Sequence, residues 1–197
     1  MPRLMIQTAR QRGFGLIEVL VALLIMAIGL LGTIALQSRA MQAELESYQR
    51  VQALILLDDM ANRVYANRIR RDCYHLPGYE SLTPEHAGVG SNLAGNQAEL
   101  SACNEVASRD LLSWDSLLRG IAVVDDSNNQ VGAMIGARGC IERLDANARR
   151  FRISVAWQGL QNTAAPDATL SCGENLYGDE RMRRVVSRIV EFAELVN

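Results

Sequence analysis

The most informative charged groups lie near the start of the chain, around one apolar run. Gly13 and Phe14 follow a short basic stretch, and Glu18 is the only charged residue between positions 14 and 36. A carboxylate costs about 2.5–3.5 kcal/mol at the centre of a bilayer, so it should have a partner. Cleavage after Gly13 would provide one, because the new amine of Phe14 would lie one helical turn from Glu18.

The order of these features differs from that of a secretory signal. Such a signal is cut after its apolar core, at a site marked by small residues. Here the apolar run contains Glu18 and is followed by amphipathic sequence instead of an Ala-x-Ala site. A cut after Gly13 would keep the apolar helix on the mature chain and place Glu18 in its first turn, where the helix dipole favours negative charge. The run is long enough to cross a bilayer.

The Gly13–Phe14 junction, the acid at Glu18 and the apolar helix that follows resemble a type IV prepilin leader. The resemblance implies that a prepilin peptidase cuts after Gly13 and that Phe14 becomes N-methylated. It also implies that Glu18 acts in assembly into a helical filament.

Several stretches are similar to PilV-type minor pilins. Gly15 departs from prepilins, which often have Thr or Ser there, and Ala35 stands where many major pilins have a helix-kinking proline. The lack of proline in the apolar helix favours a minor pilin or a secretion pseudopilin. The similar stretches are residues 14–24, 29–32, 36–37, 154–159 and 183–190.

The resemblance implies a structural role, with no enzymatic activity and no cofactor. The chain would be a minor pilin that primes or takes part in type IV pilus assembly at the pilus tip, and it would support twitching motility. Its implied partners are other minor pilins, the major pilin, the prepilin peptidase, an inner-membrane assembly platform and a tip adhesin. Two alternatives stay open, namely a type II secretion pseudopilin and a membrane-anchored periplasmic binding module or enzyme.

Charge gives the expected topology. The leader contains three arginines and no acid, so its removal from a total of 20 basic residues leaves 17 against 22 acidic ones, a net charge of −5. A mildly acidic product gives no reason to expect nucleic acid as a partner. Arginines before the span predict a cytoplasmic amino terminus and a periplasmic carboxyl-terminal domain, anchored in the inner membrane before entering the pilus.

The chain has four cysteines, all after the apolar run. An even number in an exported domain predicts two disulfides, and four cysteines allow three pairings. Pairing of sequence neighbours is the simplest, and it favours Cys73–Cys103 and Cys140–Cys172. The alternative is a metal site, whose ligand spacing matches no compact zinc pattern and which an oxidising compartment disfavours. Its ligands would be Cys73, His75, His86 and Cys103.

Apolar spacing predicts one helix from Leu16 to Arg70, roughly 80 Å long at 1.5 Å per residue. Its amphipathic second half should pack under a globular head. The expected organisation is a leader at 1–13, a membrane or filament-core segment at 14–36, an amphipathic segment at 37–72 and a head at 73–197. The apolar positions of the second half are Met41, Leu45, Tyr48, Val51, Ile55, Met60, Val64 and Ile69.

The head sequence predicts an α+β fold of the pilin type, with the long helix packed on an antiparallel sheet. One further helix should span Gln97–Arg119, stop at Gly120 and contain Trp114 as a packing residue. Alternation predicts a hairpin with a connecting turn, a weaker strand and a final strand, separated by a turn-rich segment at 159–180. The strands are Val131–Ile135, Cys140–Leu144, Phe151–Gln158 and Arg183–Ala193.

Catalytic motifs are missing from the sequence. It contains no Gly-x-Ser-x-Gly elbow, His-Glu-x-x-His helix or phosphate-binding glycine loop. Asp58 and Asp59 are adjacent on a helix and do not face each other, so they should form a solvated surface. Residues 125–129 are rich in Asp and Asn but lack the glycine and glutamate of a calcium loop. No catalytic, cofactor-binding or metal-binding residue is therefore expected.

Overall fold

The computed structural model describes residues 15–75, 86–120 and 134–193, which form an α+β structure. The chain divides into two compact units, Met1–Glu44 and Leu45–Asn197. The helices are α1 (Leu16–Ala66), α2 (Gln97–Cys103) and α3 (Glu105–Leu118), with short 3₁₀ helices at Arg68–Tyr74 and Glu180–Met182. The strands are β1 (Ala87–Gly88), β2 (Arg138–Arg143), β3 (Arg150–Gln158) and β4 (Arg183–Glu191).

Helix α1 is one 51-residue helix, as the apolar spacing predicts. It ends at Ala66, and the chain then enters the 3₁₀ helix instead of continuing to Arg70. Fully buried Tyr74 and disulfide-bonded Cys73 fix this tighter segment against the head. Within the described ranges, α1 alone is long and apolar enough to cross a membrane, with a mean hydropathy of 2.8 in its most apolar window.

The four strands form one antiparallel sheet in the order β1-β2-β3-β4. The predicted hairpin is confirmed, since β2 pairs with β3 from Arg138↔Ala156 to Arg143↔Phe151. The predicted strand Val131–Ile135 lies partly outside the described residues, and its last two residues are not in a strand. The fourth strand is instead β1, which is too short to show a sequence period.

The inner face of the sheet is apolar, and α1 and α3 contribute to the same core. Trp114 of α3 is fully buried, and its Nε1 donates a hydrogen bond to Leu56 O of α1 at 2.9 Å. Gly139 of β2 lies against this ring, because a Cβ there would come within 2.3 Å of the Trp114 side chain. Trp114 is therefore a packing residue, as expected. The buried strand positions include Ile141, Phe151, Ile153, Val155 and Trp157.

The prediction of one helix over Gln97–Arg119 was wrong. Asn104 is extended, with φ −162° and ψ 124°, and separates α2 from α3. Its side-chain oxygen accepts hydrogen bonds from Ala107 N and from Asn67 Nδ2, both at 2.9 Å. Asn104 is thus an N-cap, which offers the backbone an alternative to continuing the helix. Gly120, with φ +83°, follows the end of α3, where the sequence predicted a stop.

The second half of α1 packs on the head, as predicted, but most of the apolar positions in the sequence pattern are not part of that contact. Met60 and Val64 are buried. The other positions are exposed: Met41, Leu45, Tyr48, Val51, Ile55 and Ile69. The head covers a different face of the helix, on which alanines allow close approach. The buried positions are Ala53, Leu57, Met60, Ala61 and Val64.

Candidate assembly surface

Glu18 lies in the first turn of α1, where its backbone N–H donates to Gly15 O at 3.0 Å. Its side chain is exposed and has no hydrogen-bond or ion-pair partner within the described part of the chain. The predicted cleavage and methylation site, Gly13 and Phe14, lies outside the described residues. An uncompensated carboxylate at the start of an apolar helix needs a partner from outside these residues.

The apolar half of α1 has no cover from its own chain. None of its most apolar window is buried, and large side chains such as Leu16 and Leu31 are 79% and 68% exposed. The hydroxyl group of Thr33 is satisfied within the helix, by donation to Leu30 O at 2.8 Å. A continuous hydrocarbon surface of this extent must be covered by lipid or by other helices.

A second uncovered apolar surface lies on the part of α1 that belongs to the head unit. We call Leu45, Tyr48, Val51 and Ile55 the exposed stripe; each is between 52% and 61% exposed. Their spacing of three and four residues places them on one face of the helix. The stripe faces away from the buried positions, so the head itself does not need it for its core.

Two disulfides hold the head together, and they join the pairs that the sequence favours. Cys73–Cys103 connects the first 3₁₀ helix to the last residue of α2, and Cys140–Cys172 connects β2 to the segment between β3 and β4. The alternative metal site cannot form, because Cys73 and Cys103 have no free thiolate while they are bridged. Across the described ranges, no group of three potential ligands could hold a metal ion.

Two protein families match the chain, and together they cover its helix. The prokaryotic N-terminal methylation motif matches residues 8–34, and the family described as Type IV pilin Tt1218 matches residues 35–85. These matches, over residues 8–85, support a type IV pilin. No curated protein and no solved structure gave a significant match.

The pilin head also contains a polar network that no sequence motif indicated. The hydroxyl of Tyr74 donates to Asp110 Oδ2, and Arg63 Nη1 donates to Asp110 Oδ1 at 3.2 Å. Burial raises the pKa of Tyr74, and the hydrogen bond to Asp110 raises it further. The network joins α1, α3 and the 3₁₀ helix beside the Cys73–Cys103 bridge. Its members lie far apart in the sequence, which is why local patterns did not reveal it.

Arg183 of β4 holds the segment between β3 and β4 against the face of the sheet opposite α1. Arg183 is only 3% exposed, and its Nη1 donates to Leu170 O at 2.5 Å and to Cys172 O at 3.1 Å. Tyr177 donates from its hydroxyl to Gly136 O at 2.9 Å, and burial raises its pKa. The pilin thus clamps this segment with a disulfide and with buried polar contacts.

Ion pairs connect β4 to α1 across the inner face. Arg184 Nη2 lies 3.1 Å from Glu46 Oε1, and Arg188 Nη1 lies 2.6 Å from Asp58 Oδ1. Asp59, next along the helix, instead pairs with Arg63 at 2.8 Å. The adjacent acids Asp58 and Asp59 therefore point to different partners, as their helical positions require. The Asp- and Asn-rich segment 125–129 lies outside the described residues.

Proposed function

We propose that this type IV pilin is a PilV-type minor subunit that helps to start type IV pilus assembly at the tip. The observation that carries the proposal is the uncovered apolar helix with a single acid, Glu18, in its first turn. The proline-free apolar segment, with Ala35, supports a minor subunit over a major one. We expect no catalytic activity and no cofactor.

The proposed maturation begins in the inner membrane, with the head in the periplasm. Prepilin peptidase cuts between Gly13 and Phe14, and Phe14 is then N-methylated. The new amine and the Glu18 carboxylate have opposite charges, and they pair within one chain or between packed neighbours. In a medium of low dielectric constant this pairing offsets the cost of burying either charge, and losing one partner leaves the other uncompensated.

The two uncovered surfaces of α1 suit successive environments. The apolar half fits lipid first and the helices of neighbouring subunits later, because both are hydrocarbon surroundings. The exposed stripe lies on the head unit and offers apolar contacts to other pilins. The proposed partners are other minor pilins, the major pilin, the assembly platform and a tip adhesin.

A type II secretion pseudopilin would share the leader and the long helix, so the test must measure both outputs. Glu18→Ala should leave the protein made, cleaved and folded, but should strongly reduce the number of surface pili and the twitching motility. Electron microscopy counts the pili, and an assay of the culture medium measures secreted exoproteins. Thr33→Ala is the matched control. It also removes a polar group from α1, but the Thr33 hydroxyl already donates its hydrogen bond to Leu30 O within the helix, so its loss should not affect assembly.

Each result of this test points to one function. Few pili with normal exoprotein release supports the proposal, whereas normal pili with impaired release identifies a secretion pseudopilin. If both outputs stay normal in the Glu18→Ala strain, the chain is a membrane-anchored periplasmic module and the assembly role is wrong.

A further inference from the structure

The two disulfides of the head differ in their exposure to solvent. Cys140 and Cys172 are each 2% exposed, and the Cys172 sulfur lies 3.8 Å from Ser154 O. In contrast, Cys103 is exposed and Cys73 is half-buried. A thiol that exchanges with a disulfide must first reach one of its sulfurs, so this difference decides which bridge can react in the folded head.

The Cys140–Cys172 bridge is enclosed on the face of the sheet opposite α1. Ala156 and Tyr177 pack with it, and Arg183 Nη1 donates to Cys172 O at 3.1 Å. A reagent can reach these sulfurs only after the segment between β3 and β4 leaves the sheet, which is a local unfolding event. This bridge is therefore closed to exchange while the head is folded.

The Cys73–Cys103 bridge lies where the 3₁₀ helix after α1 meets the end of α2. Cys73 packs against the core, whereas Cys103, the last residue of α2, is exposed. An attacking thiolate therefore has access from the Cys103 side, and the Cys73 sulfur is the leaving group of such an attack.

On each side of this bridge, the next residue in the chain is anchored by contacts of its own. Tyr74 is fully buried and donates from its hydroxyl to Asp110 of α3. Asn104 accepts from Asn67 Nδ2 and from the backbone of α3, both at 2.9 Å. None of these contacts uses a sulfur atom, so the bridge can open while the core around it stays packed.

We propose that Cys73–Cys103 is a site of reversible thiol–disulfide exchange on the folded head, with a dithiol oxidoreductase of the Cys-x-x-Cys class as its partner. Cys140–Cys172 is the permanent bridge. The inference goes beyond the assembly role, and it uses the proposed export of the head only to place the partner in the same compartment.

The exchange balances in atoms and electrons. A thiolate of the oxidoreductase attacks the Cys103 sulfur, the bond to Cys73 breaks, and its electron pair leaves on the Cys73 sulfur, which takes up a proton. The second thiolate of the oxidoreductase then attacks the mixed disulfide and releases Cys103, which takes up the other proton. The head gains two thiols, the oxidoreductase becomes a disulfide, and the reverse reaction closes the bridge again.

Timed reduction of the detergent-solubilised full chain by dithiothreitol tests the difference between the bridges. A maleimide blocks the thiols at each time point, and peptide mapping identifies the cysteines that carry it. We expect Cys73 and Cys103 to be labelled at least about ten times faster than Cys140 and Cys172, because only the exposed bridge reacts without local unfolding. Fluorescence of the buried Trp114 should stay unchanged at that stage.

A trapped mixed disulfide identifies the sulfur that is attacked. The probe is thioredoxin with its second active-site cysteine replaced by serine, so that the covalent intermediate is not resolved. We expect the adduct with the wild-type chain to map to Cys103. The double variant Cys73→Ser with Cys103→Ser is the matched control; it keeps the anchoring contacts of Tyr74 and Asn104 and should give no adduct.

Three results would overturn the proposal. The first is equal labelling rates for the two bridges. The second is labelling of Cys73 and Cys103 only after Trp114 fluorescence reports unfolding. The third is a thioredoxin adduct at any cysteine other than Cys103, or no adduct with the folded chain.

Discussion

At the scale of single residues, Tyr74 shows how the head satisfies a buried hydroxyl. The side chain is fully buried, and its oxygen donates to Asp110 and accepts from Asn67 Nδ2 at 3.3 Å. Asp110 is held in turn by Arg63. A buried polar group without partners would cost about 1–3 kcal/mol, so the network permits the burial of Tyr74.

Tyr74→Phe should lower the free energy of unfolding by about 1–3 kcal/mol at neutral pH. The raised pKa of Tyr74 also predicts a pH dependence with a definite sign. Unfolded tyrosine ionises near pH 10, below the folded-state pKa, so this stabilisation is complete below about pH 10 and is lost as the pH rises further.

Thermal unfolding of the detergent-solubilised chain at pH 8 and above pH 10 measures this effect by circular dichroism. The Tyr74→Phe variant should lose less stability on going to high pH than the wild type. Tyr48→Phe is the control, because Tyr48 is exposed on α1. An equal alkaline loss in the wild type and in Tyr74→Phe would contradict the role assigned to the network.

Residue roles differ in how visible they are in the sequence. The roles of Glu18 and of the Gly13–Phe14 junction stay predictions, which rest on the charge, length and order of the leader, all local properties. The favoured cysteine pairs needed only sequence order. The contact of Tyr74 with Asp110 was not predictable, because it joins residues 36 positions apart through the tertiary fold.

At the scale of elements, the second half of α1 has apolar side chains on two of its faces. Spacing of apolar residues identifies such a helix, but it does not say which face the head will cover. The sheet covers the face with Ala53 and Ala61, where small side chains allow close packing, and Glu46 and Asp58 reach arginines of β4. The larger side chains of the exposed stripe are not covered by the described part of the head.

The substitutions Ile55→Glu and Leu57→Glu should have different effects, because Ile55 lies on the exposed face of α1 and Leu57 on the buried face. Ile55 is 61% exposed, so its replacement should change stability by no more than about 0.5 kcal/mol, yet it should reduce the number of pili. Leu57 is 3% exposed, and a charge there should unfold the head.

Thermal unfolding and pilus counts on the same strains measure both effects. A normal number of pili in a strain with folded Ile55→Glu protein would show that the exposed stripe does not contact other subunits.

In the sheet too, the strands with a local sequence pattern were predicted, and the strand without one was missed. The β2–β3 hairpin was predictable because side chains alternate along β3, and β4 was predicted although its side chains alternate less cleanly. Strand β1 was not, because two residues show no period. The break at Asn104 was missed because an asparagine at that position is compatible with either a helix interior or a cap.

At the scale of the whole molecule, two units carry different properties. The first presents an apolar helix with Glu18 at its start, and the second is a head closed by two disulfides. Family matches over residues 8–34 and 35–85 assign the helix to type IV pilins. We propose that the chain is cut, released from lipid and packed against other subunits.

The intact mass of the membrane-extracted protein tests this account most directly. In a strain with active prepilin peptidase, we expect a chain that begins at Phe14 and carries one added methyl group. Gly13→Arg should block the cut and leave residues 1–13 attached. Retention of the leader in the wild-type protein, or a cut after the apolar run, would contradict the account.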